Sequence, residues 1–352
     1  MESIKKALQT RLDAENEKHT VQNTPTARVA DLPTSAGLIL TLMKWMTGSG
    51  APSRVPTLIT IGISHYCERV RWALDLSGAE YVEFPHPPGL HIPFTNEASG
   101  GVSSVTPMLV HPGGAWETGS AILLAGVDDE YDLGLFPADL GDDMALLLAY
   151  FDDMLGAPAR AAVYAHVLPD IDLFVARASR CASSGMEAAV LGKIARLIRA
   201  GIKRSMRIGG PGSDADQLAR SQVEAVFDVV DELLADGRRF LLGTPNLSAA
   251  DISFASLAYP AILPLQMEDV SMGLEHAPED LRIWAESLRK RPAGQFVLRM
   301  YDEHRPVDPS TGRVAFRRGT GWNIRGWLLG FTAVGLLASA TVSGWFLARS
   351  ML

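Results

Sequence analysis

Apolar and polar positions change period along the chain, and the changes mark its elements. After Pro56, "TLITIGI" is a short β-branched run ending near Gly62, the pattern of a buried strand. "YCERVRWALDLSG" then sets Tyr66, Val70, Ala73 and Leu74 at helical spacing, with Gly78 where a C-cap belongs. "EYVEF" predicts a second strand, "PHPPGLHIPFTNEASGG" a proline- and glycine-rich loop, "VTPMLVHPGG" a third strand and "AWE" a fourth. "SAILLAGVDDEY" closes the unit as a helix. This order predicts a mixed sheet covered by helices.

Beyond "LFPADLGDD" the period is helical to about Met300. "DDMALLLAYFDDMLGAPARAAVYAHVLP" predicts one long helix or a helix pair, and "LARSQVEAVFDVVDELLADGRRFLLG" an amphipathic helix facing inward through Val223, Val226, Phe227, Val230, Leu233 and Leu234. In "NLSAADIS", Ser248 and Asp251 have the spacing of a structural capping box, with Leu247 and Ile252 as its staple. Across 186–207, Leu191, Ile194, Ile198 and Ile202 share one face, and six Lys or Arg residues from Lys193 to Arg207 populate the rest. Two readings stand: a basic helix resting on anionic headgroups, or a solvated charged face over a core.

No charged residue occurs from Gly326 to Ala348, a run of roughly 23 residues and long enough to span a bilayer. Trp327 and Trp345 lie near its ends. Arg317, Arg318 and Arg325 precede it while Arg349 alone follows, so the expectation is a tail anchor with the bulk of the chain in the cytosol. The host would be an organelle membrane, such as the mitochondrial outer membrane or the endoplasmic reticulum, or a bacterial inner membrane. Gly326 and Gly330 form one GxxxG step, a slight pointer to a homodimer. Met1 to Pro33 lacks the apolar core of a secretory signal. "AGLILTLMKWM" (Ala36 to Met46) is too short to span, and would pack on the body or lie in the interface.

Composition narrows the partners. At 352 residues and 47% hydrophobic, the chain can build about two domains. Its net charge of −8 argues against nucleic acid as a partner. Cys67 and Cys181 are too far apart to suggest a metal site, and two cysteines make no disulfide framework, so no metal is expected.

From about Pro56 to Arg305 the chain resembles the cytosolic glutathione S-transferase superfamily. "SHYCERVRWAL" is similar to that family's S-P-x-C-x-R-V-R-x-A-L opening, "VTPMLV" to its V-P-x-L strand with a cis-proline, and "FLLGTPNLSAADIS" to its capping-box signature. The resemblance implies an α/β thioredoxin-like domain over 56–135, then an all-helical domain over 142–305 with an enlarged middle at 168–212. Residues 1–55 read as a partly disordered extension, 306–325 as a linker and 326–348 as the transmembrane anchor. Tail and enlarged helical domain also resemble the ganglioside-induced differentiation-associated proteins in architecture.

The resemblance implies glutathione as co-substrate at the cleft between the domains. Glutathione chemistry needs a thiolate near neutral pH, which a helix N-terminus and a hydroxyl can stabilise. Ser64 stands at the family's activating serine, though serine is also a favoured N-cap. Cys67 stands where dithiol relatives carry the second cysteine of C-x-x-C, and reads either as a redox thiol or as a small buried hydrophobe. His65, in place of a proline, would titrate near the sulfur or stand idle in a loop. Thr106 and Pro107 match the pair whose backbone meets the cysteinyl part of glutathione. For the glutamyl part, alignment on Ala121 and Ile122 leaves Thr118 and Gly119 where relatives carry an acid and a serine. Glu117 and Ser120 flank them as a shifted clamp. Two functions follow as expectations: a membrane-anchored glutathione transferase or glutathione-dependent thiol enzyme acting on apolar electrophiles, or a non-catalytic adaptor of the same fold.

Overall fold

The computed structural model describes residues 54–318. The predicted span 326–348, the Ala36 to Met46 run and nearly all of the extension 1–55 lie outside the described residues. Among the described residues, no helix is long and apolar enough to cross a membrane.

The first domain is a four-stranded sheet in the order β2-β1-β3-β4, with β1 Thr57–Ile61, β2 Val82–His86, β3 Met108–Val110 and β4 Trp116–Thr118. β1 runs parallel to β2 and antiparallel to β3, and β3 antiparallel to β4. Alternation along the strands sends Leu58 and Leu109 to one face, against α1 (His65–Ser77) and α3 (Ser120–Tyr131). Ile59 and Met108 turn to the other face and meet Phe94 of α2 (Ile92–Ala98), rimmed by Phe84, Val110 and Trp116. Each fully buried side chain of this kind contributes about 1.5–3 kcal/mol. α1 ends at Gly78, whose φ of 67° a side chain would resist. The helix α2 falls inside the segment expected to be loop. With seven residues and Pro93 in its first turn, it is too short to show a period.

The second domain is all-helical among the described residues, as the periodicity predicts. α4 (Gly141–Phe151) runs through a π-helical turn, Asp152–Gly156, into α5 (Ala157–Val167). α6 (Ile171–Ser179) and α7 (Gly185–Ser205) form the enlarged middle, followed by α8 (Asp214–Leu234), α9 (Ala249–Ile262), α10 (Glu279–Arg289) and α11 (Pro292–Glu303). Every residue of α9 is buried, so this Ala- and Ser-rich helix is the axis on which both domains pack. Its capping box is formed as expected: Asp251 Oδ2 accepts from the Ser248 amide and hydroxyl, and Oδ1 accepts from the Leu241 amide.

Two further segments find packing partners in the fold. Of the apolar stripe of α7, Leu191 and Ile202 are buried and Ile194 and Ile198 half-buried, so much of that face packs inside the protein. Lys193, Arg196 and Lys203 remain exposed, which is the solvated charged face over a core. Residues 306–318, expected to be linker, form a strap. The Glu83 amide donates to the Arg317 carbonyl at 2.8 Å, Val314 N–H to Gln266 at 2.8 Å and Arg318 to the Ala182 carbonyl at 2.6 Å. Phe316 lies so close to Gly62 that a Cβ there would come within 2.6 Å of its ring.

Candidate functional site between the two domains

The sheet register assembles one end of the first domain. Continuing the β1–β3 pairing beyond Ile59↔Met108 sets Thr106 beside Ile61. Continuing β3–β4 beyond Met108↔Thr118 sets Ser120 beside Thr106. The Ser64 turn after β1, the cis Thr106–Pro107 peptide and the N-terminus of α3 therefore share one edge. These segments come from three places in the sequence and meet only through strand pairing.

Ser64 is the N-cap of α1, with extended backbone angles, and its side chain makes no capping hydrogen bond. Its amide donates to the Ile61 carbonyl at 2.8 Å, which closes the turn. Ser64 lines the cavity described below, and its hydroxyl is within hydrogen-bonding reach of the Cys67 thiol. The helix start suits a negative group there, and the hydroxyl would join it by turning from Cys67.

Cys67 does not share that access. It is 0% exposed, and burial pushes its thiol up to about 11, with the Arg71 charge and a hydrogen bond from Ser64 opposing only in part. Of the two readings of Cys67, this burial favours the small buried hydrophobe. His65 is corrected. It is buried, with Nε2 donating to the Gly156 carbonyl at 2.8 Å, and burial and the nearby Arg160 charge push its pKa down to about 3. The ring is a neutral brace between domains, not a group titrating beside a sulfur.

The clamp expected around Glu117 to Ser120 divides. Gly119, with φ 99° and ψ 114°, is the N-cap of α3, and Ser120 is its first helical residue. Only glycine takes that φ without strain. The Ser120 hydroxyl accepts from Arg69 Nη1 at 3.4 Å, while Arg69 also grips Asp152 with bonds of 3.2 and 2.6 Å. The Thr118 hydroxyl donates to the Pro107 carbonyl at 2.7 Å and so fixes the cis-proline loop. Glu117, on the alternate side of β4, is exposed and sits 3.9 Å from His111, with its carboxylate over Gly126 in mid-helix. It is not part of a clamp at the helix start, which corrects that expectation.

On the other side of Ser64 lies a cavity of about 450 Å³ between the domains. Its wall is mainly apolar, from residues such as Ile63, Val163, Ile202 and Met272. Arg160 of α5 and Arg177 of α6 are its only charged lining residues beside the neutral His65 and His91, which burial pushes down to about 3 and about 4. Among the described residues, no Asp or Glu lines it. Sequence reasoning missed both arginines. A signal existed, since neither has an acid three or four residues away on its helix. Sequence reasoning also missed Tyr259 of α9, whose hydroxyl donates to the Ile63 carbonyl. No group of His, Cys, Asp and Glu that could hold a metal ion occurs among the described residues.

Residues 58–133 match the family described as glutathione S-transferase, N-terminal domain. No curated protein matches the sequence. Among solved structures, a glutathione S-transferase of Ceriporiopsis subvermispora in complex with glutathione is 16% identical, covers 72% of this chain and 99% of its own, and superposes with a TM-score of 0.51. A glutathione S-transferase from Rhodospirillum rubrum F11 is 17% identical over 74% of this chain and 100% of its own, with a TM-score of 0.43. With its four-stranded sheet and its buried α9 axis, the chain carries the fold of glutathione S-transferases, and residues 58–133 match the N-terminal domain of that family.

Proposed function

We propose that this chain is a glutathione-dependent transferase with glutathione as co-substrate and an apolar electrophile in the interdomain cavity. The observation that carries the reading is the convergence of Ser64, Thr106 and Ser120 at one sheet edge, with two helix N-termini among them. A protein of the same fold is solved with glutathione, which supports that ligand. The Ser120 end, made positive by the α3 dipole and by Arg69 behind it, suits a carboxylate of the tripeptide. The Thr106 backbone suits its cysteinyl amide.

At the Ser64 end the hydroxyl donates to the glutathione sulfur and the α1 N-terminus favours its negative charge, so the thiol proton is lost to solvent near neutral pH. The sulfur electron pair then forms an S–C bond with the electrophile, and the leaving group departs with the pair of the bond it breaks. Cys67 is not needed for this. The uncharged run 326–348 supports a membrane-anchored form whose cavity receives molecules partitioning from lipid, with the bulk of the chain on the cytosolic side. A homodimer remains part of the proposal through the GxxxG step.

One observation favours a second reading, a non-catalytic adaptor of the same fold: Glu117 is turned away from the helix start where an acid was expected. Calorimetry with glutathione at millimolar concentration decides. Saturable binding weakened by Ser120→Ala, with conjugation of a generic aryl halide lowered by Ser64→Ala, supports the transferase. Absence of binding leaves the adaptor.

A further inference from the structure

The two arginines of the cavity are the least explained charges in the molecule. The Nε of Arg160 and the Nε and Nη1 of Arg177 are buried and have no hydrogen-bond partner. Among the described residues the fully buried guanidinium groups each meet a carboxylate, although Arg69 Nε has no partner of its own. Arg71 meets Glu68 and Glu83, Arg305 meets Glu68 and Asp75, and Arg69 meets Asp152. Arg160 and Arg177 are half-buried and, among the described residues, meet no carboxylate of this kind.

Little negative charge surrounds the pair, Glu268 being the one acid among the described residues that acts on Arg177. No acid lines the wall among the described residues, and both lining histidines are neutral. Burial and the neighbouring Arg180 work against the charge of Arg177, and only Glu268 offsets them. Arg160 faces His65, Tyr66 and Tyr164, and the two tyrosines are held further from ionisation by burial. Unpartnered guanidinium N–H groups in an apolar wall are costly unless an anion meets them, and guanidinium presents its donors in the fork that a carboxylate fits. The volume of about 450 Å³ lies within the range of about 300–1,000 Å³ usual for small-molecule pockets.

From the unpartnered donors of Arg160 and Arg177 in an otherwise apolar and acid-free cavity, we infer that this site selects apolar molecules carrying one carboxylate, of the size of a medium-chain fatty acid. The acid group is held by the arginines and the chain lies along Val163, Ile202 and Met272. This does not rest on glutathione binding, since the two arginines stand apart from Thr106 and Ser120.

The test is calorimetric titration of the full-length chain, without glutathione, with decanoate and with 1-decanol below their self-association limits. A charge-assisted pair in place of an unpaired donor predicts at least about tenfold tighter binding of the acid. Arg160→Met with Arg177→Met, which keeps the apolar stem and removes the charge, should erase the difference while leaving decanol binding intact. Equal affinity of acid and alcohol for the unaltered chain overturns the inference without any variant. So does retained discrimination in the double variant. A third outcome also overturns it: if glutathione competes with decanoate and the double variant loses glutathione, the arginines serve the tripeptide instead. Failure of glutathione to bind at all, with decanoate still preferred, would count against the transferase reading alone.

Discussion

The hydroxyl of Tyr259 donates to the carbonyl of Ile63 at 2.5 Å, joining residues 196 positions apart. Ile63 is the residue before Ser64, so the buried α9 axis holds the turn that presents the serine. Tyr259→Phe removes the donor to a part-buried carbonyl, which costs about 1 kcal/mol. The expected outcome is a lower urea midpoint with an unchanged denaturant slope. In the transferase reading, glutathione conjugation falls further than glutathione affinity, because Ser64 loses its support and Ser120 does not.

Thiol reactivity separates serine from cysteine chemistry. Cys67 and Cys181 are both fully buried, and burial pushes their thiols up to about 11 and about 12. These are the only two cysteines of the chain. A chromogenic disulfide reagent should therefore find no reactive thiol in the native chain at pH 7.5 and two after unfolding. Cys67→Ala should cost about 1 kcal/mol of stability through lost packing and leave conjugation intact. Rapid modification of one native thiol would restore the redox reading.

His65 predicts an acid limit. Its folded pKa is pushed down to about 3 from an ordinary value of 6.5, so between those values the unfolded chain binds the extra proton. Its contribution to stability is complete above pH 6.5 and is lost as pH falls toward 3, at up to about 1.4 kcal/mol per pH unit. His91 acts in the same direction. Asp251, pushed up to about 6 by burial, acts in the opposite one, so the effect is read as a difference. His65→Gln keeps a donor for Gly156 and should be less stable than the unaltered chain at pH 7.5, with the gap narrowing by pH 5. A constant gap across that range would show that His65 does not stay neutral.

Local chemistry made some of this legible in the sequence and tertiary chemistry hid the rest. Ser248 and Asp251 could be placed because a capping box is complete within four residues, and Pro107 because the strand it opens has a short, dense pattern. Glu117 was misread because helix alignment says nothing of strand alternation, which turns it over α3. Cys67 and His65 sit at the helix start, yet α9 and the Asp152–Gly156 turn cover them, and no periodicity in "SHYCERV" records that cover. The strap 306–318 looked like a linker because its bonds to Glu83 and Ala182 are long-range. Arg160 and Arg177 were overlooked for the converse reason, since an unmet charge is visible only once every neighbour is placed.

The pair Arg69 and Asp152 gives the sharpest stability test of how the two domains meet. Arg69 is fully buried on α1, and Asp152 opens the π-helical turn of the second domain with its side chain 29% exposed. Removing one member of a buried pair leaves an uncompensated charge, which costs about 3–5 kcal/mol in a closed site and less where water reaches the partner. Asp152→Leu should thus destabilise by about 3 kcal/mol. Arg69→Met also frees the Ser120 hydroxyl. Asp152→Leu combined with Arg69→Met replaces the pair with apolar groups, and the double variant should recover most of the loss from Asp152→Leu alone. In the transferase reading, the double variant regains stability without regaining glutathione affinity, because the positive charge behind Ser120 is gone. Urea unfolding and glutathione calorimetry on the same three variants measure both. Additive losses of stability would show that Arg69 and Asp152 act independently and that the interface is held elsewhere.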